Sequence, residues 1–229
     1  PYTFSEARIP QWPQAQASYF CCDAGTPIDP GTARAATAAA GCALQAAEAV
    51  ASGASSLAYA LCRPPGHHAL RSRGMGFCLF NNVSVAARYA LDDRGLDRVL
   101  IVDFDVHHGN GTQSIFESTP NVLFVSSHQM PLYPGTGHRG ETGCGNVLNL
   151  PLSPGDGSET FRSAWREYGL ARVADFRPDL VLVSAGFDAH RADPLAQLSV
   201  STGAYAEATR VVCDLAARPG DGERLRRAC

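Results

Sequence analysis

The feature that most constrains the fold is a series of short, continuous apolar runs that alternate with helical patterns. Residues 98–104 read RVLIVDF, a β-branched run of the kind found in strands buried on both faces of a sheet. Residues 121–126 and 180–184 have the same character. Strands separated by helices are joined by right-handed crossovers. The pattern therefore predicts a parallel sheet.

The remaining elements fit the same arrangement. Helical patterns cover 31–53, 81–94, 158–176 and 202–217, and the apolar runs 57–62 and 147–150 add two shorter strands. A chain of 229 residues, 45% of them hydrophobic, is long enough for one well-buried core. We expect a single α/β domain with a mainly parallel sheet, helices on both faces, and the active site at the C-terminal ends of the strands.

Charge and hydropathy exclude several classes of partner. The formal net charge of −3 provides no basic surface for nucleic acid or for an anionic membrane. No apolar run approaches the roughly 18 residues of a membrane span, and no signal pattern begins the sequence. We therefore expect a cytoplasmic protein that binds neither nucleic acid nor membrane.

Polar clusters follow three of the predicted strands, and one of them has the spacing of a metal site. Asp103, Asp105 and His107 alternate along an extended backbone, so they point to one side. Two carboxylates beside an imidazole favour a bound cation, because unpaired buried charge is costly. Asp188, after another strand, completes a set of three ligands with Asp105 and His107. Such a set is typical of catalytic zinc, although Fe²⁺, Mn²⁺ or Co²⁺ would also fit.

An isolated DxDxH is equally consistent with a solvated turn; the glycines that follow it and the AGFD segment favour a metal. His67 and His68 follow the rigid turn Pro64-Pro65-Gly66. Tandem histidines are often only a turn pair, but beside a metal they can take a proton from water and return it to a leaving amine. Asp103 and Asn110 are the candidates to orient the two rings.

Five motifs, RPPGHHA, GFCLFNN, IVDFDVHHGNGTQ, PLYPGTG and LVLVSAGFDAHRADPL, resemble the histone deacetylase family. The similarity is to its class II and bacterial histone deacetylase-like amidohydrolase branch, which is related to acetylpolyamine amidohydrolases, and it runs from about residue 22 to 215. It implies zinc ligands at Asp105, His107 and Asp188. It also implies His68 as general base and acid and His67 as its electrostatic partner, with Asp103 behind His67 and Asn110 behind His68.

The resemblance also implies a substrate tunnel and two potassium sites. Phe77 and Tyr133 would wall an acetyl-lysine tunnel, with Gly76 beside the wall and Asp23 as a carboxylate at the rim. Without the family resemblance, the two aromatic residues are consistent with a slot for an aliphatic linker or with ordinary packing in the core or at the rim. An inner potassium site would use Asp103, Asp105, His107 and Ser126, and an outer one would use carbonyl oxygens of Phe116, Thr119 and Val122.

The activity implied is zinc-dependent hydrolysis of the acetyl amide of acetyl-lysine, in a protein or peptide, or of a related acetylated amine. The alternatives are an acetylpolyamine amidohydrolase, a binuclear manganese ureohydrolase and a non-catalytic binder. The last arises because the family's catalytic tyrosine, in a GGY segment, has no counterpart in this sequence. We expect residues 1–229 to be a catalytic domain incomplete at both ends, with an irregular segment at 1–21 and a divergent tail at 218–229. The sequence leaves open whether the protein forms a homo-oligomer.

Overall fold

The fold is built on one parallel sheet. The structure, a computed structural model, describes residues 11–12, 23–217 and 226–227, so the predicted terminal segments lie almost wholly outside the described residues. The strands are β1 (Val99–Asp103), β2 (Val122–Gln129), β3 (Val147–Leu152), β4 (Leu180–Ser184) and the two-residue β5 (Arg226–Arg227). They lie in the order β3-β2-β1-β4-β5, and every pair is parallel, as the sequence predicted.

Helices cover both faces of this sheet. They are α1 (Thr32–Ala51), α2 (Asn82–Asp92), α3 (Asn110–Phe116), α4 (Ser158–Ala164), α5 (Leu170–Phe176) and α6 (Thr202–Ala217). Alternate residues of β1 point to opposite sides: Leu100 and Val102 pack in one apolar cluster with α4, α5 and α6, whereas Val99 and Ile101 pack in another with α1, α2 and α3. Within the described residues, no helix is both long and apolar enough to cross a lipid bilayer.

The prediction of one regular helix over 158–176 was wrong in its middle. A π-helical turn, Trp165–Gly169, separates α4 from α5. A Cβ atom added at Gly169 would lie 2.8 Å from the Trp165 indole, so glycine allows the ring to lie against the turn. The indole is buried and packs edge-to-face on Phe104, with ring centroids 5.1 Å apart. The wide turn thus accommodates a large ring below the sheet.

The prediction of a strand at 57–62 was also wrong. The segment has no regular secondary structure, and Leu57, Tyr59 and Leu61 are exposed by 50%, 59% and 86%. A strand requires a hydrogen-bonded neighbour, and here a cavity of about 290 Å³ lies between this segment and the end of β4. Among the described residues nothing pairs with it, so apolar character alone does not make it a strand.

The register of the sheet determines where the loops emerge. Asp103, the last residue of β1, pairs with Ser126 of β2 and Ser184 of β4. β1 and β4 therefore end at the same level, and the loops that follow them leave at one edge. The polar clusters that follow these strands in the sequence meet at this edge.

Candidate metal centre and active site

The loop after β1 holds its polar side chains on one side. Phe104 and Val106 are buried in the apolar cluster below the sheet, so Asp103, Asp105 and His107 face the opposite way, as the alternation predicted. The backbone N–H of Asp105 donates to Asp103 Oδ1 at 3.1 Å, and that of His107 donates to Asp105 Oδ1 at 2.8 Å. These bonds hold the row in place.

Asp188 reaches this row from the loop after β4. Its Oδ1 accepts the N–H of Val106 at 2.8 Å, and its Oδ2 lies 3.0 Å from His107 Nδ1. Asp105 Oδ1 lies 3.0 Å from the same nitrogen, and one ligand atom from each of the three residues lies within 4.8 Å of the others. Burial alone would lower the pKa of His107, but hydrogen bonds to Asp105 and Asp188 raise it to about 10.

This donor set fits a divalent metal. Two carboxylates and one imidazole, none of them exposed, converge on a small volume, and a dication would neutralise both carboxylates there. Gly186 makes room for the arrangement, because a Cβ at that residue would lie 2.2 Å from Asp105 Oδ2. The described residues contain no second group of this kind.

The tandem histidines lie beside this group. His67 Nδ1 donates to Asp103 Oδ2 at 3.0 Å, and His68 Nδ1 lies 2.8 Å from Asn110 Oδ1. The Asn110 amide nitrogen faces Met75 Sδ, so its oxygen faces His68 and His68 Nδ1 carries the proton. The basic nitrogen of His68 is therefore Nε2.

The two histidines differ in charge. Burial alone would lower the pKa of His67, but the carboxylates of Asp105 and Asp103 raise it to about 9. Burial and the neighbouring His67 lower the pKa of His68 to about 3. At neutral pH His68 is an uncharged ring that can accept a proton, and His67 is a cation paired with a carboxylate. The rings are close, with centroids 4.0 Å apart.

Aromatic side chains rim the site above His68. Tyr133 packs edge-on against the His68 ring, with centroids 5.1 Å apart, and Phe77 is 61% exposed. Gly76 has a φ of +57°, and a Cβ there would lie 2.4 Å from the His68 ring. Glycine therefore lets the backbone that carries Phe77 approach the histidine.

Asp23 ties this rim together. Its carboxylate accepts the N–H of Gly76 at 2.8 Å, the hydroxyl of Tyr133 at 2.7 Å and that of Thr26 at 2.7 Å. Thr26 Oγ1 in turn accepts the N–H of Phe77 at 3.0 Å. The sequence indicated a rim role for Asp23 but not for Thr26, since a lone threonine in a loop carries no recognisable signal.

A half-buried polar network in the loop after Tyr133 could not be predicted from the sequence. Glu141 accepts hydrogen bonds from the N–H groups of Gly137 and His138 and from the Gln113 amide at 2.6 Å. Gln113 Oε1 lies 2.9 Å from His108 Nε2. These contacts fix the loop that follows Tyr133. The segment PGTGHRGETG reads as an ordinary glycine-rich turn, so the sequence contains no clue to the glutamate's partners.

The two predicted potassium sites differ in geometry. For the inner one, Asp103 at the end of β1 is the register partner of Ser126 within β2, and both are fully buried. For the outer one, the carbonyl oxygens of Phe116, Thr119 and Val122 do converge, but on the side-chain nitrogen of Asn146.

Comparison with known proteins agrees with this site. The profile of the Histone deacetylase domain matches residues 4–225. The chain belongs to the histone deacetylase family. A probable deacetylase of Archaeoglobus fulgidus is 42% identical over 204 residues, which are 87% of this chain and 56% of that protein. A histone deacetylase-like amidohydrolase of Pseudomonas aeruginosa is 42% identical over 201 residues, 86% of this chain and 53% of the relative. The resemblance inferred from the five motifs is confirmed.

The fold comparison gives the same result. A solved acetylpolyamine aminohydrolase from Burkholderia pseudomallei matches with a TM-score of 0.84 at 38% identity, over 93% of this chain and 61% of the solved one. This similarity confirms the predicted deacetylase-type α/β fold. This chain spans only about half the length of the two curated relatives. Its activity and its substrate are therefore proposed and not taken from them.

Proposed function

We propose that this chain carries the zinc and proton-transfer groups of a deacetylase that hydrolyses the acetyl amide of acetyl-lysine or of a related acetylated amine. One observation supports it above the others. His68, whose Nδ1 is held by Asn110 Oδ1 at 2.8 Å, lies beside three converging ligands, Asp105, His107 and Asp188, and its ring centroid is 4.0 Å from that of His67. This is the arrangement that amide hydrolysis with water as nucleophile requires.

Zinc, when bound by Asp105, His107 and Asp188, would polarise the amide carbonyl and make a bound water more acidic. His68 Nε2 takes the proton from the attacking water, and Asn110 orients the ring by holding Nδ1–H. The C–N bond then breaks, and His68 returns the proton to the leaving amine, so the products are acetate and a free amine. The His67 cation offsets the negative charge that develops nearby, and Asp103 holds its ring in place.

The rim suits a slender, uncharged linker. Phe77 and Tyr133 offer apolar ring surface on which the methylene groups of an acylated lysine or polyamine would pack. Acetylpolyamine remains the alternative substrate, supported by the solved aminohydrolase of similar fold. Acetyl-lysine in a peptide and an acetylated polyamine share this linker chemistry, so only measurement separates them.

The test is acetate release by zinc-loaded protein from an acetyl-lysine peptide and from acetylspermidine, compared with the His68→Ala variant. We expect release that depends on zinc and on His68. The same measurement on a chain extended through a GGY segment would determine how much the tyrosine contributes, since an oxyanion donor is typically worth a factor of about 10² to 10³ in rate.

Two results would overturn the proposal. Zinc-loaded protein that binds either acetylated ligand but releases no acetate, with or without the extension, would indicate a binding protein. Two metal ions per chain at full occupancy, with urea released from a guanidinium substrate, would indicate a binuclear ureohydrolase instead.

A further inference from the structure

Three backbone carbonyl groups converge at the C-terminal end of α3. The oxygens of Phe116, Thr119 and Val122 lie 2.8, 2.9 and 2.8 Å from a single atom, Nδ2 of Asn146. Asn146 is 3% exposed, and its contacts to the Phe116 and Val122 carbonyls of this cage are buried. Converging carbonyl oxygens are the ligands from which proteins build potassium sites.

The orientation of the Asn146 amide follows from its other contacts. Its Oδ1 accepts the backbone N–H of Cys144 at 3.2 Å. The opposite orientation would place Oδ1 against three carbonyl oxygens and the NH₂ group against the N–H of Cys144. Each of those contacts would be repulsive, because the amide oxygen only accepts and the amide nitrogen only donates. The nitrogen therefore faces the cage.

We propose that the Asn146 amide is a built-in substitute for a monovalent cation in this cage. The NH₂ group carries partial positive charge and supplies two hydrogens to three acceptors, so it satisfies the cage as an ion would. A cation shared by the same oxygens would have to occupy the position of Nδ2. The outer potassium site implied by the carbonyls of Phe116, Thr119 and Val122 therefore does not fit this chain, whereas the inner candidate site is unaffected.

The cage is connected to the active site through α3. Phe116 is the last residue of this helix and Asn110, which orients His68, is its first. Seven residues at about 1.5 Å each place the two ends about 10 Å apart. With Asn146 in the cage, the C-terminal end of α3 is secured without an ion.

The test counts bound ions in the wild type, in Asn146→Ala and in the control Asn121→Ala, whose side chain lies on the exposed surface. Rubidium replaces potassium, choline chloride keeps the ionic strength constant, and equilibrium dialysis gives the number of ions per chain. We expect equal numbers for wild type and N121A, and one additional ion for N146A. The Tm of N146A should also rise more with rubidium chloride than that of the other two proteins. Equal ion counts and equal Tm responses in all three would overturn the proposal.

Asn146→Ala removes a hydrogen bond from each of the three carbonyls, although those of Phe116 and Thr119 still accept the backbone N–H of Thr119 and of Val122. A second measurement therefore uses the wild type alone. In ¹⁵N-labelled protein, the side-chain NH₂ signals of Asn146 should exchange slowly with solvent and keep their positions when choline is replaced by potassium. Saturable movement of these signals with potassium would show that the ion displaces the amide. It would refute the proposal that the amide replaces the ion, even if N146A does not fold. Neither readout requires deacetylase activity.

Discussion

The substitution Gly186→Ala tests the metal centre by steric means alone. Gly186 lies in the loop after β4 and its φ is not in the left-handed region, so alanine introduces no backbone strain. The added Cβ would lie 2.2 Å from Asp105 Oδ2 and 2.6 Å from Asp105 Cβ, whereas ordinary contacts begin at 3.4 Å. The Asp105 carboxylate must therefore move by about 1 Å.

That displacement is large for a metal ligand. Ligand distances in metal sites vary by only about 0.2 Å, so a shift of this size should impair one of three zinc ligands while leaving the fold intact. Changes in the groups that position metal ligands typically cost about 10- to 100-fold in metal affinity. That corresponds to about 1.4 to 2.7 kcal/mol of zinc-binding free energy.

The assay is competition for zinc with a chromophoric chelator, with circular dichroism to verify folding. Gly140→Ala is the matched control, because a Cβ at Gly140 meets nothing within 4 Å and its φ is also not left-handed. We expect wild type and G140A to bind zinc equally, and G186A to bind it at least tenfold more weakly. Folded G186A with the zinc affinity of G140A would refute the inference that Asp105 is a ligand.

Three further changes test other parts of the site. His68→Ala should lower kcat for acetate release by about 10²- to 10⁴-fold while the zinc dissociation constant stays unchanged; loss of zinc would contradict a purely proton-transferring role. Asp23→Ala should raise KM several-fold with little change in kcat, because the carboxylate holds Gly76 and Tyr133; unchanged KM would refute it. Partial burial alone would raise the pKa of Glu141, but hydrogen bonds from Gln113, His138 and Gly137 lower it from 4.5. The Glu141 carboxylate should therefore stabilise the fold fully above pH 4.5 and progressively less below it. The Tm difference between wild type and Glu141→Gln should narrow on acidification, and a difference independent of pH would contradict this.

Much of the fold could be predicted because the deciding information is local. The run at 98–104 has the composition of a doubly buried strand, and the structure places β1 within it. Residues 57–62 are also apolar, but no strand within the described part of the chain pairs with them. Pairing depends on residues distant in sequence, so periodicity cannot distinguish the two cases. The π-helical turn at Trp165–Gly169 likewise depends on the ring that Trp165 packs against, which the helical pattern does not reveal.

The site divides along the same line. Asp105, His107 and Asp188 could be grouped because each follows the end of a parallel strand, and such ends meet at one edge of a sheet. Glu141 and Asn146 stand in glycine-rich turns, where their spacing has no period and their partners come from other loops. The residues that converge at the strand ends were therefore accessible from the sequence, whereas residues that hold other loops in place were not.

The two histidines differ in protonation, and the groups around each ring give the reason. Asp105 and Asp103 raise the pKa of His67, whereas burial and the neighbouring His67 lower that of His68, which Asn110 orients through an uncharged amide oxygen. A carboxylate behind both rings would favour two adjacent cations 4.0 Å apart, and the resulting repulsion would leave proton transfer shared between them. With an amide in one position, the proton has one acceptor, His68 Nε2. Asn110 behind His68, in contrast to Asp103 behind His67, therefore assigns His68 as the base.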